Sequence, residues 1–144
     1  MSTGDKVVIR FNQGKLLKGY LKKFSQDSRT ILFEESGMDS IQEISVQELK
    51  AILFVRTFEG DKKYREKKKY EHRQRKGRKM FVKFKDGESM IGYLEGDMPW
   101  EKGFFISKPD EKKAGFFLMP ADEGSNNIKV FVIGASVKDI TAIP

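Results

Sequence analysis

The stretch that decides the fold occurs twice. Lys6 to Leu21 reads KVVIRFNQGKLLKGYL, and Lys79 to Leu94 reads KMFVKFKDGESMIGYL. The two align without a gap at an offset of 73, with Lys, Phe, Gly, Gly, Tyr and Leu identical. Self-similarity of this kind marks a tandem repeat. A second match, Ser45 to Ile52 (SVQELKAI) with Ser136 to Ile143 (SVKDITAI), stands at an offset of 91. On that alignment the second copy carries about 18 extra residues in its middle.

Each copy has the period of a bent sheet. Val7, Ile9 and Phe11 alternate with Val8, Arg10 and Asn12, as in a strand with one face on a core. Asn12-Gln13-Gly14 and Lys85-Asp86-Gly87 place a glycine where a tight hairpin needs positive φ. Leu16 to Leu21 and Met90 to Leu94 form the return strands, interrupted by Gly19 and Gly92, where the sheet can curl. Thr30 to Phe33, Ile41 to Val46 and Ala51 to Val55 complete about five short strands. Ser45 with Glu48, and Ser136 with Asp139, have the capping-box spacing of one helical turn before the last strand. Val7, Ile9, Phe11 and Leu21 are expected to fill one core, and Met80, Val82, Phe84 and Leu94 the other.

The chain has 144 residues, 38% of them hydrophobic, enough for one ordinary domain or two very small ones. No apolar run approaches the ~18 residues of a membrane span, and Met1 to Lys6 is polar, unlike a signal peptide. A cytoplasmic protein without membrane insertion is expected. There are no cysteines, which removes disulfides, thiolate zinc sites and cysteine nucleophiles together. The formal net charge of +7 is local. Asp61 to Lys79 holds eleven Lys or Arg against three acids, and the rest of the chain is close to neutral. A neutral pair of modules around one highly charged segment reads as a linker or an arm.

The order V-x-I-x-F-x-x-G-x-x-x-x-G-x-L-x-x-F, from Val7 to Phe24, resembles the first half of the Sm-like fold, a bent five-stranded small barrel. Sm proteins place an Asp directly after that Phe and an Asn four residues later to hold a base. Ser25 and Arg29 occupy those positions here, so the resemblance implies the fold without the RNA pocket. Gly19 to Leu21 (GYL), Phe54 to Tyr64 (FVRTFEGDKKY) and the GFF, PAD, SNN and VFV segments of Gly115 to Val132 are similar to an uncharacterised bacterial family with tandem repeats of this kind. That likeness implies a regulatory or adaptor setting and no specific activity.

No catalytic or metal-binding constellation stands out. The chain lacks a P-loop, G-x-G-x-x-G and S-x-x-K, and His72 has no ligand partner at helical spacing. Asp86, Asp97, Asp110 and Asp122 adjoin Gly or Pro, or lie near them, as turn carboxylates do. The expectation is a protein that is not an enzyme, with no metal and no small-molecule cofactor.

Two features remain. The basic run between Gly60 and Gly77 can form a short helix capped at Asp61, yet Tyr64 and Tyr70 are too few to make a buried stripe. Lys67, Lys68, Lys69, Arg73, Arg75, Lys76 and Arg78 are therefore candidate contacts for nucleic acid or another polyanion, with tyrosines and His72 available to stack on bases. The bland reading is a solvated tether. The second feature is the near-duplication of Gly103-Phe104-Phe105-Ile106 and Gly115-Phe116-Phe117-Leu118, read as an extended hairpin. Adjacent residues of a strand face opposite ways, so half of these rings must look away from their own core. Trp100, Phe104, Phe105, Phe116 and Phe117 form a candidate patch for a protein partner or a homodimer.

The expected architecture is all-β: two tandem five-stranded Sm-like small barrels joined by a basic, helix-competent linker. The boundaries are 5–57 for the first barrel, 58–78 for the linker and 79–144 for the second barrel, with a hairpin insertion over about 99–126. The expected function is a binding or adaptor protein that contacts a polyanion, foremost nucleic acid, through the basic segment. The alternative is a protein-interaction or self-association module using the Phe-rich hairpin.

Overall fold

A computed structural model describes residues 4–25, 28–58, 78–94, 114–120 and 127–143. Ten strands and two 3-10 turns account for the regular structure of these residues. The first copy supplies β1 (Asp5–Phe11), β2 (Leu16–Lys23), β3 (Thr30–Glu35), β4 (Ile41–Ser45) and β5 (Leu49–Val55). The second supplies β6 (Lys79–Phe84), β7 (Ser89–Leu94), β8 (Gly115–Pro120), β9 (Asn127–Ile133) and β10 (Val137–Ala142). No helix among them is long and apolar enough to cross a membrane. The basic run, which the sequence leaves competent for a short helix, and the first half of the hairpin insertion lie outside the described residues.

The repeat holds strand by strand. β1 runs against β2 with Val7 opposite Gly19, and β6 against β7 with Met80 opposite Gly92. The hairpin turns match as well: Phe11 N–H donates to the Lys15 carbonyl and Phe84 N–H to the Glu88 carbonyl, both at 2.8 Å. Gly14 and Gly87 share φ of +96°, which an L side chain rarely adopts. Val7, Ile9, Phe11 and Leu21 are buried, as are Met80, Val82, Phe84 and Leu94, which is the period-two expectation.

Two corrections follow from the register. The first concerns the end of the repeat. Phe11 lies opposite Leu49 and Phe84 opposite Val137, with Lys50 and Lys138 each left as the extra residue of a bulge. The equivalent of Leu49 is therefore Val137, an offset of 88 in place of 91. Ser136 does not open the second 3-10 turn but closes it, since the turn spans Gly134–Ser136 and the first spans Val46–Glu48. Neither turn has a side-chain cap. The Ser136 hydroxyl instead lies 2.7 Å from the Ile133 carbonyl and 2.9 Å from the Lys50 carbonyl, tying the second repeat to the first. In addition, the Gly115 to Leu118 segment, expected inside an inserted hairpin, is the third strand of its repeat, since β8 pairs with β7 and β9 as β3 pairs with β2 and β4.

The second correction is to the architecture. The strands do not form two separate five-stranded barrels but one open antiparallel sheet in the order β10-β6-β7-β8-β9-β5-β1-β2-β3-β4. β5 of the first repeat pairs with β9 of the second over Ala51↔Val132 to Val55↔Asn127, and this joint makes the sheet continuous. Both strands are near-continuous apolar runs, LKAILFV and IKVFVI, the composition of strands covered on both faces. Period two then divides their side chains between two cores. Leu49, Ile52, Phe54, Phe131 and Ile133 enter the core of the first repeat. Ala51, Val130 and Val132 enter that of the second, with Leu53 packed against it. The cores thus lie on opposite faces of the sheet at the joint, and each contains residues of the other repeat.

Candidate functional site

The candidate basic residues Lys67, Lys68, Lys69, Arg73, Arg75 and Lys76 lie outside the described residues, as do Trp100, Phe104 and Phe105. The structure does describe where the basic segment departs and returns. It departs after Phe58, which is held against the outer face of β1 and β2. The Lys18 Nζ donates to the Phe58 carbonyl at 3.0 Å. The Tyr20 ring meets the Phe58 ring edge-on with centroids 5.6 Å apart, and the Lys6 Nζ stands 5.9 Å from the Phe58 centroid. Lys6 and Tyr20 are cross-strand partners, and Lys18 lies one pleat further along the same face.

The segment returns at Arg78, which is exposed and whose carbonyl accepts the Leu94 N–H at 2.8 Å. The next residue, Lys79, lies opposite Tyr93. This is the repeat of the Lys6–Tyr20 pair, so each root of the basic segment carries a cross-strand lysine and tyrosine. An ammonium and an aromatic ring side by side on an outward sheet face can engage a phosphate and stack on a base. Sequence reading passed over these residues because their identity was counted as repeat identity alone.

The two described members of the phenylalanine patch, Phe116 and Phe117, are divided between the two cores. Phe116 faces the second core and is 3% exposed. Phe117 turns the other way, against the first core, within a cluster of rings from both repeats. Its centroid is 4.9 Å from Phe131, 5.9 Å from Phe54 and 6.0 Å from Phe24, with the Lys129 Nζ 4.5 Å above its ring. Phe24 crosses the joint, 4.7 Å from Phe131 and 6.2 Å from Phe54.

A polar cluster locks the same joint from the other side. Lys50, at the β5 bulge, is buried under the Phe84 ring at 4.7 Å, and its Nζ pairs with Asp86 at 2.7 Å and with Glu88. Arg10 reaches the same Glu88 at 2.8 Å. Two cations of the first repeat thus grip two carboxylates on the β6–β7 turn of the second. The carboxylates are exposed enough to be hydrated, while the lysine is not. Among the described residues no group of three or more His, Asp or Glu could hold a metal ion.

The chain belongs to a family of unknown function, DUF6982, whose model matches residues 3–143. No curated protein and no solved structure matches it.

Proposed function

We propose that this member of the family is a binding or adaptor protein without catalytic activity, and that it engages a polyanion, foremost nucleic acid, through the segment between its two repeats. The observation that carries this reading is the concentration of charge. Asp61 to Lys79 has eleven Lys or Arg and three acids in a chain that is otherwise near neutral, and both roots of that segment carry a lysine–tyrosine pair on an outward sheet face. A plain tether needs neither feature. The segment supplies phosphate neutralisation, and Tyr20, Phe58 and Tyr93 add rings at its ends.

The alternative, a protein-interaction patch on the Phe-rich hairpin, is weakened by the placement of Phe116 and Phe117. Both rings are engaged within the chain. The test is fluorescence anisotropy with labelled single- and double-stranded oligonucleotides. Binding by the native chain is expected to fall by a factor of about 10³ or more between about 50 and 200 mM salt if six or more phosphates are engaged. Replacing Lys67, Lys68, Lys69, Arg73, Arg75 and Lys76 by Gln is expected to abolish binding without moving the melting temperature. Failure of the native chain to bind any oligonucleotide at the lower salt would make the segment a tether.

A further inference from the structure

The joint between the repeats is a strand edge of one copy laid on a strand edge of the other. Such a head-to-tail contact leaves an unused edge at each end, and repetition of the contact between chains would give rings or filaments. Among the described residues the unpaired edges are β10 and β4, the equivalents of β5 and β9. A second chain could in principle add its β4 to β10 in the register of the internal joint. Ile52↔Phe131 and Leu53↔Val130 would recur as Ile140↔Glu43 and Thr141↔Gln42.

We infer that the outer edges are coded against this contact, so that the chain is a closed two-repeat unit whose joint only its own two halves can make. At four positions the side chain that crosses the internal joint is apolar and its outer equivalent is polar, while at a fifth the order is reversed, with Lys129 over the Phe54 and Phe117 rings and its equivalent Ile41 exposed. Phe131 and Ile133, which enter the first core, correspond to Glu43 and Ser45 on β4. Ala51 and Leu53, which face the second core, correspond to Asp139 and Thr141 on β10. Glu43, Asp139 and Thr141 are exposed. Docking would drive the Glu43 carboxylate to the place that the Phe131 ring takes at the internal joint, stripping its hydration and leaving it the Thr30 hydroxyl, 3.5 Å away, as its donor within its own repeat.

The charge pattern changes in the same sense. At the internal joint Arg10 and Lys50 meet Asp86 and Glu88. Their outer equivalents are Lys83 and Lys138 on one side and Gln13 and Lys15 on the other, all exposed. The basic half of the lock is kept and the acidic half is replaced by a neutral residue and a third lysine. A second copy therefore meets repulsion where the internal joint has attraction, a recognised defence of sheet edges.

The test uses full-length chains and sedimentation analysis. The native chain is expected to run as a single species of 16.6 kDa at all accessible concentrations. Two further chains each have one edge recoded. One carries Asp139→Ala and Thr141→Leu. The other carries Glu43→Phe, Ser45→Ile, Gln13→Asp and Lys15→Glu. Each alone should stay at the native mass, and their mixture should form a one-to-one complex. Because the chain has no cysteine, adding Ala142→Cys to the first of these chains and Ile41→Cys to the second, a pair that neither recoding touches and that would face across the contact as Phe54↔Lys129 does at the internal joint, should trap that complex as a disulfide in the stated register. The inference is overturned if the folded recoded chains fail to associate, or if either associates alone through a native edge. It is also overturned if the native chain carrying both cysteines forms an oxidised ladder. Loss of the native circular dichroism spectrum in a recoded chain overturns it too, because those positions would then serve the chain's own fold.

Discussion

Replacing Phe131 by Ala should destabilise the repeat to which Phe131 does not belong. The ring lies on β9 of the second repeat, is fully buried, and sits in the first core with centroids 4.7 Å from Phe24 and 4.9 Å from Phe117. Removing a buried Phe side chain costs about 3–5 kcal/mol, and each lost edge-to-face pair adds about 0.5–1.5 kcal/mol beyond area burial. These figures overlap, so a loss of about 4 kcal/mol is expected. Against a total stability of about 5–15 kcal/mol for an ordinary domain, that is a quarter or more of the whole. Urea unfolding followed by far-ultraviolet circular dichroism should show a lower midpoint with an unchanged slope. Native-state hydrogen exchange should locate the effect, with faster exchange in β1, β2 and β3 as well as in β9. Val132→Ala, one residue away but facing the second core, should instead accelerate exchange in β6 and β7. A loss below about 1 kcal/mol for Phe131→Ala, far under the range for a buried ring, would refute the shared-core reasoning. So would accelerated exchange confined to β6 through β10.

Other outcomes can be measured in the same unfolding assay. Lys50→Met should be close to neutral, because only the buried ammonium is removed, Met packs at similar length beneath Phe84, and the Asp86 and Glu88 carboxylates left behind are exposed enough to be hydrated. The double change Asp86→Ala with Glu88→Ala should instead cost about 1–3 kcal/mol. It leaves the buried ammonium without those partners, and the full penalty for a buried pair is reduced because both carboxylates are partly hydrated. Gly19→Ala should cost about 1–3 kcal/mol through forced separation of β2 and β3, since its Cβ would stand 2.2 Å from the Glu34 carbonyl oxygen. Gly14→Ala meets open space and should cost only the backbone strain of φ at +96°, about 1–2 kcal/mol.

The strands of the first copy, the β1–β2 and β6–β7 hairpins and their buried sets were legible in the sequence because they depend on neighbours within a few residues, whereas β8 reads from sequence as part of an insertion. Val7, Ile9 and Phe11 alternate, and Gly14 supplies a positive φ, whatever the rest of the chain does. The site was legible only as composition. Charge counting finds the basic segment, but the Lys6–Tyr20–Phe58 contact at its root depends on strands pairing across the sheet. The end of the repeat was misjudged by three residues because the SVQELKAI and SVKDITAI likeness is a match of letters. The bulges at Lys50 and Lys138 set the true register through backbone pairing. The joint had a faint signal, since Ala51 to Val55 and Val130 to Ile133 are apolar without alternation, and such strands need cover on both faces. What covers them is a partner strand far along the chain, and local periodicity carries no term for that. Sequence alone determined two copies of a five-stranded bent sheet around a charged segment. Only the tertiary structure decided that the copies share one sheet and exchange core residues, because burial on the second face of β5 and β9 is satisfied by the opposite repeat.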